Sequence, residues 1–190
     1  MEQFNQNGTS VWVTTVGQII TSIWVYTIAG VLGAVLYFFD RGFGLSTMLY
    51  LVQIVGYVLY IVAIFKFTKL QQCDQDIAAT KKISNAYILM IAGIIAGLIP
   101  LLGWIADLVL SIIAFVFLLQ GYKALSQSPI LPELCKAGAG RLYTAMLISL
   151  AGVILGIIPL AGSLLQAIVD IIVFVMVLSA WKSIKENGLN

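Results

Sequence analysis

The sequence contains no histidine, and only 9% of its 190 residues are charged. Histidine is the usual general base near neutral pH and the commonest metal ligand, so its absence removes most hydrolytic and metal-dependent sites. The two cysteines, Cys73 and Cys135, lie far apart and lack metal-ligand spacing. A net charge of +2 gives no basis for binding nucleic acid. We therefore expect no enzyme activity, no cofactor, no metal and no nucleic-acid partner.

The sequence is rich in long apolar segments, and 61% of its residues are hydrophobic. Residues 83–122 form a run of 40 residues with one charge, Asp107. A single helix of that length would rise about 60 Å, twice the thickness of the hydrocarbon layer. The chain must therefore turn within the run, and Pro100 marks the place because proline ends a helix or begins the next. We predict two membrane helices, 83–99 and 102–123.

A similar apolar segment occurs twice in the sequence. Residues 93–103 read GIIAGLIPLLG and residues 152–162 read GVILGIIPLAG. Glycine and proline are selected by the backbone conformation that a position requires. Their recurrence at one offset therefore indicates an internal repeat. The matched turn and packing residues, 59 positions apart, are Gly93, Gly97, Pro100 and Gly103 in one copy and Gly152, Gly156, Pro159 and Gly162 in the other. The second copy predicts helices 142–158 and 161–182.

A third copy precedes these two, with Gly30 and Gly33 in a span of 16–39 and a return span of 45–67. The predicted fold is therefore all-α: a polytopic membrane protein with six transmembrane helices arranged as three consecutive hairpins. A single membrane domain covers residues 1–190. Its hairpins are 16–67, 83–123 and 142–182, and its cytoplasmic loops are 68–82 and 124–141.

Charge predicts the orientation of these spans in the lipid bilayer. Nine of the ten basic residues fall on the side that holds both termini, and Arg41 alone lies opposite. The positive-inside rule then places both termini in the cytoplasm. Tyr122 and Trp181, each followed by a lysine, are predicted to anchor their helices at the membrane interface.

Polar side chains inside the spans are the candidate site. The repeat aligns Asp107 with Gln166 and Ser111 with Asp170, so each of the two helices carries a polar pair one turn apart. An ionised carboxylate at the depth of Asp170 would cost several kcal/mol, so we expect a neutral, hydrogen-bonded acid. Two interpretations stay open: a proton- or cation-handling polar path, or an acid that holds helices together.

The glycines also allow two interpretations. Gly93/Gly97 and Gly152/Gly156 are GxxxG pairs, which let helix backbones approach closely in lipid. They predict either packing of the first helices of the hairpins around one another or a homodimer seam. Near the N-terminus a polar stripe, formed by Thr14, Thr15, Gln18, Thr21 and Ser22, belongs either to an interfacial helix or to the inner face of the first span.

The three-hairpin layout with its Gly…Pro rhythm resembles the small HdeD-like acid-resistance membrane proteins. The resemblance implies a stress-related protein of the bacterial inner membrane. The sequence itself favours a non-enzymatic membrane protein that acts through helix packing, as a scaffold, a stress factor or a partner of itself or of another membrane protein. The alternative is a small channel or transporter with Asp170 and Gln166 along its path.

Overall fold

A computed structural model describes residues 2–37, 44–97, 99, 103–156, 158 and 162–188, which form six α-helices and no strand. The prediction of an all-α protein with six helices is confirmed. The helices, in chain order, are α1 (Glu2–Tyr37), α2 (Leu45–Lys69), α3 (Asp74–Gly97), α4 (Gly103–Ser126), α5 (Glu133–Gly156) and α6 (Gly162–Asn187).

Five of the six helices are long and apolar enough to cross a membrane. The candidate spans are Ser10–Leu36, Thr47–Lys69, Gly103–Ser126, Glu133–Gly156 and Gly162–Asn187. Helix α3 has the length of α4 and α5 but is not among the five. Its first turns carry Asp74, Asp76, Lys81 and Lys82, so its apolar part is confined to the second half of the helix.

The helices reach well beyond the predicted spans. Most of the predicted loops 68–82 and 124–141 is helical, because α3 begins at Asp74 and α5 at Glu133. Both helices start with an acidic residue, which the partial positive charge of a helix N-terminus favours. Hydropathy identifies the part of a helix that lipid can solvate, and it gives no sign of where a polar continuation ends.

The described residues form two compact units, Met1–Phe67 and Thr68–Asn190, and the single membrane domain stays a prediction. The first unit is the α1/α2 hairpin. The rings of Trp12 and Phe67 lie 5.2 Å apart at one end, and those of Tyr26 and Tyr57 lie 5.9 Å apart further along. The start of α1 therefore pairs with the end of α2. Because α1 is continuous, its polar stripe belongs to the same helix as the first span.

The second unit contains the other four helices, packed in chain order. Helix α3 packs on α4, α4 on α5, and α5 on α6. The first residues of α3 and α5 are 59 positions apart, and so are their last residues. The first residues of α4 and α6 are also 59 positions apart. The large buried side chains of this unit lie toward the lysine-bearing ends of its helices, and include Ile83, Tyr122, Leu125, Leu142, Trp181 and Ile184.

Tyr122 and Trp181 are 1% and 0% exposed, so both rings pack inside the protein instead of lying at a lipid interface. The lysines that follow them, Lys123 and Lys182, are exposed. The prediction of two aromatic anchors is therefore wrong. The pattern of an aromatic residue before a lysine does not say which way the ring points, and here the ring is the larger apolar surface available for burial.

Pro100 and Pro159 lie outside the described residues, whereas the turn glycines Gly103 and Gly162 begin α4 and α6. A Cβ atom on Gly103 would collide with the carbonyl oxygens of the last turn of α3. A Cβ atom on Gly162 would lie 2.6 Å from the carbonyl oxygen of Gly156. Any larger residue would push the two helices apart, so glycine at these positions permits the tight turn.

Candidate functional site: polar side chains on the span helices

The first predicted polar pair lies against the glycines of its own hairpin. Asp107 is half-buried, and its Oδ1 atom lies 2.6 Å from the position that a Cβ atom on Gly93 would take. The Ser111 hydroxyl donates a long hydrogen bond of 3.5 Å to the same oxygen. The space left by the missing side chain of Gly93 thus accommodates the carboxyl group of Asp107.

The second predicted pair separates. Gln166 is half-buried, and its Oε1 atom lies in the space that a Cβ atom on Gly156 would fill. Asp170, one turn further along α6, is exposed. Among the described residues no hydrogen bond and no ion pair engages its carboxyl group. The structure therefore does not join Asp170 to Gln166 or Ser111, and it leaves the acid exposed on the second unit.

The helix that carries Asp170 is also the least covered of the spans. Only 6% of its apolar window is buried, against 17 to 28% for the other four candidate spans. Within the second unit α6 contacts α5 and no other described helix. Its exposed apolar face is formed by Leu164, Ile168, Ile171 and Val175, which follow one another at helical spacing.

The predicted packing glycines face the second helix of their own hairpin. Gly93 and Gly97 lie against Asp107 of α4, while Gly152 and Gly156 lie against Val169 and Gln166 of α6. Gly30 of α1 lies against Gln53 of α2, and Gly33 is buried. The close approaches shown by these contacts are between the two helices of a hairpin, whereas the sequence predicted contacts either between the first helices of different hairpins or across a homodimer seam.

A groove lined by both polar and apolar side chains lies between α1 and α2. Gln18 and Thr21 of the N-terminal stripe line it, and Lys66 enters it from α2. The Lys66 ammonium donates a hydrogen bond of 3.1 Å to Gln18 Oε1. The polar stripe was predicted from the sequence, and Lys66 contributed only to the predicted orientation of the spans. What the sequence did not reveal is that the two meet, because they lie 48 residues apart in the chain.

A buried acid outside the spans was also missed. Asp76 in the first turn of α3 is 0% exposed. The Ser128 hydroxyl donates a hydrogen bond of 2.7 Å to its Oδ2 atom, and the backbone N–H groups of Ile130 and Leu131 donate to the same hydroxyl. The Oδ1 atom has no hydrogen-bond partner among the described residues. An acid in a first helical turn is so common that nothing in the sequence distinguishes this one.

These helices define an α-helical integral membrane protein. Comparison of the chain with protein-family models, with curated proteins and with solved structures gives no match. No metal-binding group of three or more histidine, cysteine or acidic residues occurs in the part of the chain that the structure describes.

Proposed function

We propose that the protein is a non-enzymatic membrane protein that acts through helix–helix association, and that α6 is the helix through which it associates. The observation that carries the proposal is the exposed carboxyl group of Asp170 on an exposed apolar helix. Lipid tails offer no hydrogen-bond partner, so an acid that faces them is costly. A neighbouring helix supplies a partner, and polar side chains hold membrane helices together in this way.

The partner that we propose is a second copy of the chain. Two copies related by an axis along the membrane normal present the same face of α6 to each other, which gives a closed, symmetric pair. Their Asp170 side chains then lie at the same depth, where one carboxyl can donate a hydrogen bond to the other. Ser163 and Ala167, which are exposed and lie on the same face of α6 as Asp170, pack alongside.

The test is the oligomeric state of the full chain in lipid nanodiscs, counted by single-molecule photobleaching. Asp170→Leu should reduce the dimer fraction, whereas Asp170→Asn should retain it because an amide also donates and accepts hydrogen bonds. Ser111→Ala is the matched control, because Ser111 occupies the position equivalent to Asp170 in the other repeat of the same chain and is also exposed. A chain that is monomeric at every density, or a dimer unaffected by Asp170→Leu, would refute the proposal.

The alternative, a channel or transporter with Asp170 and Gln166 along a polar path, makes an opposite prediction for Asp170→Asn. That substitution removes the ionisable proton, so flux into liposomes should be lost while association persists. The outward position of Asp170 and the packing of Gln166 against Gly156 favour association over a path. Flux in the wild type that disappears in Asp170→Asn would reverse this preference.

We also propose that both termini lie in the cytoplasm, as the distribution of lysine and arginine predicts. The resemblance to HdeD-like proteins would add a role in stress. Cys73 reports the orientation, because it is partly exposed in the connection between α2 and α3, and Cys135 is buried. In a Cys135→Ser background, a membrane-impermeant maleimide should label Cys73 in inside-out vesicles and leave it unlabelled in right-side-out vesicles.

A further inference from the structure

The groove between α1 and α2 has the chemistry of an anion site. Its volume is about 400 Å³. Its lining comprises Thr14, Gly17, Gln18, Thr21, Ser22, Leu59, Val62 and Lys66. None of these residues is acidic, and Lys66 supplies the single charge. The groove therefore carries a positive charge beside several hydroxyl and amide groups.

The donors of the groove are already arranged around that charge. Lys66 donates one of its three N–H bonds to Gln18 Oε1 at 3.1 Å, which leaves two for a ligand. With its oxygen engaged by the ammonium, Gln18 can offer its amide N–H₂ to the same ligand. Thr14 and Thr21 are exposed and add hydroxyl groups. Residues 10–37 and 44–67 contain no acidic residue, so no carboxylate of these two segments competes with a ligand for Lys66.

The position of the groove along the helices distinguishes between anions. Lys66 lies one turn from the end of α2, whereas Leu59 lies two turns deeper in the same span. Leu59 and Val62 are 51% and 44% exposed and continue the groove into the apolar part of the hairpin. A free anion needs only the polar end. A phospholipid needs both, because its phosphate and its acyl chain occupy successive depths.

We propose that this groove binds an anionic phospholipid, with the headgroup phosphate at Lys66, Gln18 and Thr21 and the start of an acyl chain along Val62 and Leu59. The site lies within the first unit and is independent of association through α6. Basic pockets between membrane helices are a recognised way of binding anionic headgroups. The lysine supplies the charge, and the hydroxyl and amide donors fix the phosphate.

The experiment is native mass spectrometry of the full chain in detergent, titrated with phosphatidylglycerol or with phosphatidylcholine of the same acyl chains. We expect the wild type to bind one phosphatidylglycerol more tightly than phosphatidylcholine. Lys66→Gln should weaken phosphatidylglycerol binding about fivefold, which is the effect of one basic residue near an anionic headgroup. Lys69→Gln is the matched control, because Lys69 ends the same helix and does not line the groove.

Thr21→Val is the second variant, since it removes a hydroxyl group and keeps the shape of the side chain. It should also weaken phosphatidylglycerol binding, and it leaves the net charge unchanged. Equal losses in Lys66→Gln and Lys69→Gln would show general interfacial attraction and overturn the site. No preference for phosphatidylglycerol in the wild type would do the same. Displacement of the lipid by millimolar inorganic phosphate would assign the groove to a free anion and refute lipid binding.

Discussion

The α3/α4 and α5/α6 hairpins match at the start of both helices and at the end of the first. They share one close contact, which is built from opposite sides. In the first hairpin Gly121 of α4 lies against the carbonyl oxygen of Ala79 on α3. In the second, Gly138 of α5 lies against the carbonyl oxygen of Ala180 on α6. Ala79 and Gly138 are 59 residues apart, as are Gly121 and Ala180. The shared requirement is a short distance between backbones, and either helix can supply the glycine.

The two hairpins differ in what they bury at the start of their first helix. The third residue of α3 is Asp76, which accepts a hydrogen bond from Ser128. The equivalent residue of α5 is Cys135, whose thiol lies 3.4 Å from the carbonyl oxygen of Ile184. Both side chains are almost completely buried. The third residue of the first helix is therefore buried in both hairpins. In the α3/α4 hairpin, its side chain also binds Ser128 in the turn after α4.

The largest effect is expected where the two hairpins agree. An alanine at position 121 would place its Cβ 2.8 Å from the carbonyl oxygen of Ala79 and 2.5 Å from Ile83. A backbone carbonyl cannot move without moving its helix, so Gly121→Ala should lower the free energy of unfolding by about 3 kcal/mol. Gly138→Ala should cost a similar amount, since its Cβ would lie 2.9 Å from the carbonyl oxygen of Ala180.

Unfolding by sodium dodecyl sulfate in mixed micelles measures both variants. Gly140→Ala is the control within α5, because its nearest contact would be an ordinary 3.8 Å to Ser126. That variant should be neutral or more stable by up to about 1 kcal/mol, the gain in helix propensity. If Gly121→Ala were as harmless as Gly140→Ala, the close approach of α3 and α4 would be disproved.

A smaller effect is expected where the hairpins differ. Ser128→Ala removes the hydrogen bond to Asp76 and leaves both carboxyl oxygens of a fully buried side chain without a donor. The loss should be about 2 kcal/mol of unfolding free energy. Ser126→Ala is the control, because that hydroxyl is exposed and, among the described residues, bonds to the carbonyl oxygen of Lys123 in its own helix. Equal stability of the two variants would mean that Ser128 does not support Asp76.

The sequence predicted the class of fold, the number of helices and where the second and third hairpins turn. These features depend on local patterns, namely apolar runs of membrane length and glycine at a fixed offset. Helix ends were predicted poorly, since α3 begins nine residues before the predicted span 83–99. The polar first turns of α3 already have helical hydrogen bonding, since Ile77 N donates to the carbonyl oxygen of Cys73 at 2.9 Å.

The contacts that the polar residues make could not be predicted from the sequence. Periodicity places Gln166 and Asp170 on adjacent turns of one helix, but it does not show which side faces the neighbouring helix. The structure turns Gln166 toward Gly156 and leaves Asp170 exposed. Contacts between distant segments, such as Lys66 with Gln18, depend on how two helices are aligned along each other. That alignment is set by the sum of many side-chain contacts and has no local signature.

The smallest effect compares one glycine position in both copies. A Cβ on Gly93 would lie 2.6 Å from Asp107 Oδ1, the far end of a flexible side chain, whereas a Cβ on Gly152 would lie 2.6 Å from Val169 Cγ1. Valine in a helix is held to one rotamer, so Val169 cannot yield without moving α6. Gly152→Ala should therefore cost about 1 kcal/mol more than Gly93→Ala in the same unfolding assay. Adding Val169→Ala should remove that difference, and its persistence in the double variant would show that the cost arises elsewhere on α5.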